Sequence, residues 1–186
     1  MEHSLFTEGR NSKMELGNTY FWTNTVKNWK NLFIKDKYKD LLIATLDELV
    51  QNNLITVFAF VIMPNHFHLI WKINSMNGKE MPHASLNKKT SHLIIKDLKL
   101  NHQQVLPYFQ VSDKDRSYRI WQRDPLAVLM DTKEKIEQKI EYIHLNPLQE
   151  KWNLAKYPED YYWSSANFYL NGIDNFGFLT DYREAF

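Results

Sequence analysis

The run Ile55-Thr56-Val57-Phe58-Ala59-Phe60-Val61-Ile62-Met63, then Pro64-Asn65, then His66-Phe67-His68-Leu69-Ile70-Trp71-Lys72-Ile73 decides the fold. Two stretches rich in β-branched and aromatic residues flank a short Pro-Asn connection, which predicts a β-hairpin. Side chains alternate along a strand. In the second stretch His66, His68, Ile70 and Lys72 therefore share one face, while Phe67, Leu69 and Trp71 face the other, towards a core.

Working outward, residues 20–26 (Tyr-Phe-Trp-Thr-Asn-Thr-Val) read as a first strand. In 35–51 the apolar positions Leu41, Leu42, Leu46, Leu49 and Val50 recur at helical spacing, with Asp36 as a candidate cap and Asn52-Asn53 as the end. Beyond the hairpin, 74–82 is a loop with Gly78, and Leu86, Leu93, Ile94, Ile95 and Leu98 mark a second helix over 86–100. A polar stretch, 101–116, precedes 118–122 (Tyr-Arg-Ile-Trp-Gln), which reads as a short fourth strand. A third helix spans about 131–145, with Asp131 or Thr132 as its cap and Ile136, Ile140 and Ile143 as its apolar stripe; Pro147 stops it.

The order β-α-β-β-α-β predicts an α+β fold, a ferredoxin-like split βαβ antiparallel sheet. A C-terminal helix and an aromatic-rich tail follow. Residues 1–17 carry little pattern and are expected to be flexible, and 18–186 to form one domain, with a core over 18–147 and a tail over 148–186. The apolar fraction of 44% and aromatic fraction of 15% in 186 residues suit a folded core rather than disorder. Cysteine is absent, which excludes disulfides and thiolate-ligated zinc. No apolar run reaches membrane-spanning length and the N-terminus lacks the pattern of a signal peptide, so a cytoplasmic protein with no membrane partner is expected. A net charge of +1 neither supports nor excludes a nucleic-acid partner, so any electrostatic footprint must be local.

His66 and His68, at i and i+2, are spaced to chelate one divalent ion, although paired strand histidines with ordinary hydrogen-bond partners look the same in sequence. On the third helix Tyr142 and Asn146 stand four residues apart and share a face. A phenol is a competent nucleophile towards phosphorus when a metal polarises the phosphate, and an amide oxygen is a suitable third ligand for Mg²⁺ or Mn²⁺. The plainer alternatives are a packing aromatic at Tyr142 and a helix cap at Asn146. His144, about 200° round the helix from Tyr142, points away from any such site. His83, His92 and His102 are isolated.

These residues bring a family into view. Met63-Pro64-Asn65-His66-Phe67-His68-Leu69-Ile70 resembles the HUH segment of IS200-like transposases, and Tyr142-Ile143-His144-Leu145-Asn146-Pro147 is similar to the YIHxNP signature of their REP-associated branch. Trp121-Gln122-Arg123, and Tyr157-Pro158-Glu159-Asp160 followed by Trp163-Ser164-Ser165, resemble that branch's remaining landmarks, in the same order. The resemblance implies a metal-dependent single-tyrosine HUH endonuclease and transposase. It would cleave and rejoin hairpin-associated single-stranded DNA, from a REP-like element or an insertion-sequence end, through a 5′-phosphotyrosine. His66, His68 and Asn146 would be ligands of Mg²⁺ or Mn²⁺ and Tyr142 the nucleophile, in a monomer or homodimer. The alternatives are a non-cleaving hairpin DNA- or RNA-binding protein of the same fold, and a metal-dependent hydrolase that uses water. The chain has no phosphate-binding Gly-rich loop, which suits a covalent route that needs no ATP.

Lys72, Lys88, Lys89, Lys96, Arg119 and Arg123 are candidate DNA contacts, with Lys99 and Arg116 nearby, and Trp22, Trp29, Trp71 and Trp163 are candidate stacking platforms. Solvated charge and core packing are the ordinary roles of such residues. One departure from the family pattern follows the Asn-Pro: Leu148-Gln149-Glu150-Lys151-Trp152-Asn153 lacks the usual Arg and Gly, which puts a DNA contact there in doubt and implies a different turn.

Overall fold

The computed structural model describes residues 13–123 and 125–185. β2 (Ile55–Ile62) and β3 (His66–Ile73) pair antiparallel across the Pro-Asn turn. That turn is held from outside the hairpin: Val26 N donates to Asn65 O at 2.8 Å and Phe33 N to Pro64 O at 2.9 Å. β1 (Thr19–Thr25) pairs with the other edge of β3, placing Thr25 opposite His66 and Thr23 opposite His68. β4 (Leu126–Leu129) completes the sheet in the order β2-β3-β1-β4, all antiparallel, which is the ferredoxin-like arrangement.

α1 (Asp36–Gln51) and α2 (Pro82–Asn101) cover one face of the sheet. Their Leu42, Leu46, Leu86, Ile94 and Leu98 pack on Trp22, Phe67, Leu69 and Trp71. Trp22 and Trp71 stack with ring centroids 5.0 Å apart. α3 (Lys133–Leu145) covers the opposite face, where Ile136, Ile140 and Ile143 meet Phe21, Phe58, Val61 and Ile70. A register shift between Val57 and Ala59 turns Phe58 and Ala59 both towards this α3 side. Each fully buried large side chain contributes about 1.5–3 kcal/mol. An exposed ion pair such as Lys88–Glu80 contributes about 0–1 kcal/mol, so the two apolar layers hold the fold and the surface pairs do not.

Four boundaries differ from the sequence reading. The fourth strand is Leu126–Leu129, not 118–122; the latter segment forms a single bridge beyond the end of β1, through Lys27 N to Ile120 O and Gln122 N to Thr25 O, each 2.7 Å. α2 begins four residues early because Pro82 occupies its first turn, where a missing N–H is harmless. Asp36 does not cap α1: Lys35 is the cap residue and Asp36 sits in the first turn, paired with Lys39. Of the stretch expected to be flexible, 1–12 lies outside the described residues, whereas Met14 is buried in the core and Gly17 N donates to Ile73 O at 2.7 Å.

The tail closes the free edge of β2. Ile62 N donates to Trp163 O at 2.9 Å, Ser165 N to Phe60 O at 3.0 Å and Thr180 N to Val57 O at 3.0 Å, so backbone groups of an edge strand are satisfied within the chain. A short helix, α4 (Ala166–Asn171), follows. No helix among the described residues is long and apolar enough to cross a membrane.

Ser165, 1% exposed, is the pin of this closure. Its hydroxyl accepts from Phe60 N at 3.0 Å and lies 2.9 Å from His144 Nε2 on α3, joining tail, sheet and helix. Ser165→Ala leaves those buried groups unpaired and is expected to cost about 1–3 kcal/mol, read as a lowered urea midpoint; an unchanged midpoint would show the tail to be held elsewhere.

Candidate functional site

His66 and His68 stand on the α3 face of β3, as strand alternation demands, with ring centroids 4.8 Å apart. Asn65 Nδ2 donates to Trp29 O at 3.3 Å, which turns its Oδ1 towards His66 Nδ1, 2.7 Å away. An amide oxygen only accepts, so His66 Nδ1 carries the proton and Nε2 keeps its lone pair. His68 Nδ1 lies 2.8 Å from Thr23 Oγ1, the residue opposite it on β1. His68 Nε2 is buried with no hydrogen-bond partner.

Tyr142 arrives from α3, its ring edge-on to both His68, at 5.2 Å between centroids, and Phe21, at 6.1 Å. It remains 41% exposed and so open to a substrate. Asn146, one turn on, is buried at the C-terminal end of the helix. Its side chain hydrogen-bonds Tyr142 while its Oδ1 is buried without a partner. Thus His68 Nε2 and Asn146 Oδ1 both lack a protein partner, which leaves each able to accept a ligand. Thr132 caps α3, its side chain accepting from Lys135 N, and this fixes where the helix starts.

The electrostatics agree with a ligand set. Burial, with Lys151 nearby, lowers His66 to about 4. Burial also lowers His68, aided by His66, Lys139 and Lys151. Both imidazoles are therefore neutral at neutral pH, the form that binds metal. Burial raises Tyr142 and the Asn146 hydrogen bond pulls it back, so the phenol is protonated and needs help to attack. Among the described residues no three His, Cys, Asp or Glu side chains gather in one place, so any third protein donor beside the two imidazoles would have to be of another type, such as an amide. Two imidazoles and an amide carry no charge and would leave a divalent ion its full attraction for phosphate oxygens.

The chain matches no protein-family model and no curated protein. Among solved structures it is similar to one of a REP-associated tyrosine transposase bound to a REP hairpin, at a TM-score of 0.61 and 17% identity, over 91% of this chain and 89% of that one. The chain has that transposase's fold.

His66, His68, Tyr142 and Asn146 are brought together on this face. The basic residues named from sequence are not. Lys88, Lys89 and Lys96 stand on α2, across the sheet from the histidines, and Lys88 and Lys89 pair with Glu80 and Glu48. Arg119 and Arg123 both pair with Asp113 and line, with Lys88, a cleft of about 880 Å³ on the α2 side. Lys72 shares the histidine face of β3 but lies six residues along it. Of the tryptophans proposed for stacking, Trp22 and Trp71 are buried in the core, and Trp29 alone is exposed.

Two cations at the site were missed. Lys139 Nζ lies 4.8 Å from the Phe21 ring centroid and 5.3 Å from that of Tyr142. Helical spacing of 139, 142 and 146 was the signal for it. Lys151 lies close enough to lower both histidines, in the segment that departs from the family pattern. There Asn153, at φ 45°, takes the left-handed conformation that a glycine would otherwise supply. His144 is on the far side of α3 from Tyr142, as its spacing predicts.

The lowered histidines make stability depend on pH. His66 and His144, each about 4 when folded, rise to about 6.5 when unfolded, so the unfolded chain binds more protons between those values. Without added metal, stability is expected to be full above about pH 6.5 and to fall as pH drops towards about 4, with a shallower fall in His66→Gln. Urea midpoints taken across that window test it; a flat profile would mean that the histidines are already charged in the folded chain.

Proposed function

We propose that this chain is a member of the IS200-like, REP-associated tyrosine transposases and cleaves and rejoins single-stranded DNA beside a hairpin. The observation that carries the reading is His68, its Nε2 buried without a partner, standing 5.2 Å ring to ring from the half-exposed Tyr142, while the Oδ1 of Asn146, one helical turn on from that phenol, is also buried and partnerless. His66, His68 and Asn146 would hold Mg²⁺ or Mn²⁺. When bound, the ion would polarise the scissile phosphate and neutralise charge building on its oxygens.

The chain's own groups do the rest. The Tyr142 oxygen attacks phosphorus in line, its proton passes to water, and the bond to the 3′ oxygen breaks, that oxygen taking a proton from water. The products are a 5′-phosphotyrosine and a free 3′-OH, and the reverse attack reseals a strand without ATP because the covalent link conserves the energy of the phosphodiester. Asn146 orients the phenol, and Thr23 and Asn65 hold the imidazoles by their far nitrogens. Residues 18–186 would act as one such domain in the cytoplasm, as a monomer or a homodimer. The fold's likeness to a hairpin-bound transposase supports a hairpin partner.

A labelled single-stranded hairpin drawn from the DNA flanking the gene, incubated with the protein and Mn²⁺ or Mg²⁺, is expected to give an adduct stable to denaturing electrophoresis. Tyr142→Phe abolishes the adduct. A gel shift with no adduct from the wild type would identify a binding protein, and cleavage that survives Tyr142→Phe would identify hydrolysis by water. In the same assay His66→Ala and His68→Ala, or EDTA, are expected to lower cleavage by at least about 10²-fold while leaving DNA affinity nearly unchanged, because most affinity comes from phosphate and base contacts. Normal cutting by either variant would overturn the ligand assignment.

A further inference from the structure

The segment 26–30 carries a feature that the cleavage chemistry does not use. Asn28 and Trp29 both have left-handed backbones, at φ 53° and φ 55°. Asn adopts this conformation readily; a bulky aromatic residue rarely does. Trp29 is also 61% exposed, whereas Trp22, Trp71 and Trp121 are buried and Trp152 and Trp163 are half-buried. A strained backbone that presents an indole to solvent gains nothing for the core, so the strain points to a ligand.

The position of the ring says which ligand. Its centroid is 6.3 Å from that of His66, at 71° between planes, and the Trp152 ring lies 5.8 Å from the same imidazole. The loop is fixed from three directions. Val26 N donates to Asn65 O, Lys27 N to Ile120 O, and Asn28 N to Gln122 Oε1 at 3.2 Å. Asn65 then joins the two functions directly, since its amide nitrogen donates to Trp29 O and its oxygen accepts from His66 Nδ1. Lys30, beside the indole in sequence, sits 4.5 Å over the half-exposed Tyr108 ring, so cationic and aromatic groups interleave along this rim.

We infer that Trp29 is a stacking platform for the unpaired nucleobase next to the phosphate held at His66 and His68. The inference rests on the proposed DNA reading and deepens it by naming the residue that positions the strand. A flat, exposed ring on a backbone fixed by hydrogen bonds binds any base through its π-face, and so it aligns the phosphate without reading sequence. Specificity then has to come from the hairpin.

The test uses the full chain, wild type and the variants Trp29→Gly, Trp29→Asn and Trp29→Phe; Gly and Asn both suit a left-handed backbone, so the ring is removed without new strain. Fluorescence anisotropy measures binding to a labelled thymidine homo-oligomer and to an equally long strand of abasic sugar-phosphate units. Trp29→Gly and Trp29→Asn are expected to weaken binding of the thymidine strand about tenfold, and Trp29→Phe by no more than about threefold. All four proteins are expected to bind the abasic strand equally weakly, with melting temperatures no lower than that of the wild type. Wild-type affinity for the thymidine strand in both Gly and Asn variants, or an equal loss on the abasic strand, would overturn the stacking role and leave the DNA reading standing. Failure of the wild type to bind either strand would overturn the stacking role, and failure to bind the hairpin oligonucleotide as well would overturn the DNA reading.

Discussion

β3 lies between β2 and β1, and its register against both decides what this molecule can do. A slip of one residue would send His66 and His68 into the layer beneath α1 and α2 and bring Phe67 and Leu69 out under Tyr142. The register is held by packing that differs on the two faces: stacked indoles and leucines on one, isoleucines and Phe21 on the other. It is also held at the turn, where Asn65 and Pro64 receive backbone hydrogen bonds from the chain that follows β1. A strand buried on both faces and paired at both edges has little freedom to shift. The chemistry of the histidine face therefore depends on the apolar chemistry of its opposite side.

The same rigidity explains how unsatisfied atoms persist. A buried polar atom without a partner costs about 1–3 kcal/mol, and a flexible site would rotate or admit water to recover that cost. Here His68 is held by Thr23 at one nitrogen and flanked by Phe21 and Tyr142, with its ring stacked on Phe21 at 5.3 Å. Asn146 is held by its place at the end of α3, by Pro147 and by its bond to Tyr142. The tail adds a further restraint, because Ser165 ties α3 to β2 through His144. The helix bearing the phenol is thus fixed to the sheet bearing the imidazoles from both its faces. Preorganisation of this kind lets a ligand bind without first ordering the site.

Most of this was legible in the chain because it follows from two periods. Alternation placed both histidines on one face, and the helical repeat placed Tyr142 with Asn146 and turned His144 away. What failed was information that the periods do not carry. β4 has only four residues behind a proline, too short for alternation to register, whereas 118–122 has strand-like composition but spends it on burying Ile120 and Trp121 against the end of β1. The basic residues were chosen by density, and density selected α2, where Lys88 and Lys89 pair with acids on neighbouring elements. The cations that do reach the histidines are single residues, Lys139 and Lys151, distant in sequence from them and joined to the site only by tertiary structure. Trp29 was one of four tryptophans with nothing local to distinguish it; its exposure and left-handed backbone are properties of the assembled loop.

Asn65 shows why a turn residue can matter more than its position suggests. In a hairpin the residue before the second strand has only to reverse the chain, and many residues would serve. Its amide here makes two bonds of opposite polarity, donating to the backbone of the exposed indole and accepting from the ring of the first histidine. The accepting bond sets the His66 tautomer and leaves Nε2 free to coordinate; the donating bond keeps the indole beside it. An acid at this position would accept from His66 but could not donate to Trp29 O, and an alanine would do neither. A phosphate at the histidines and a base at the indole, as proposed, would therefore be joined through one side chain, and a strand seated on one would be registered against the other.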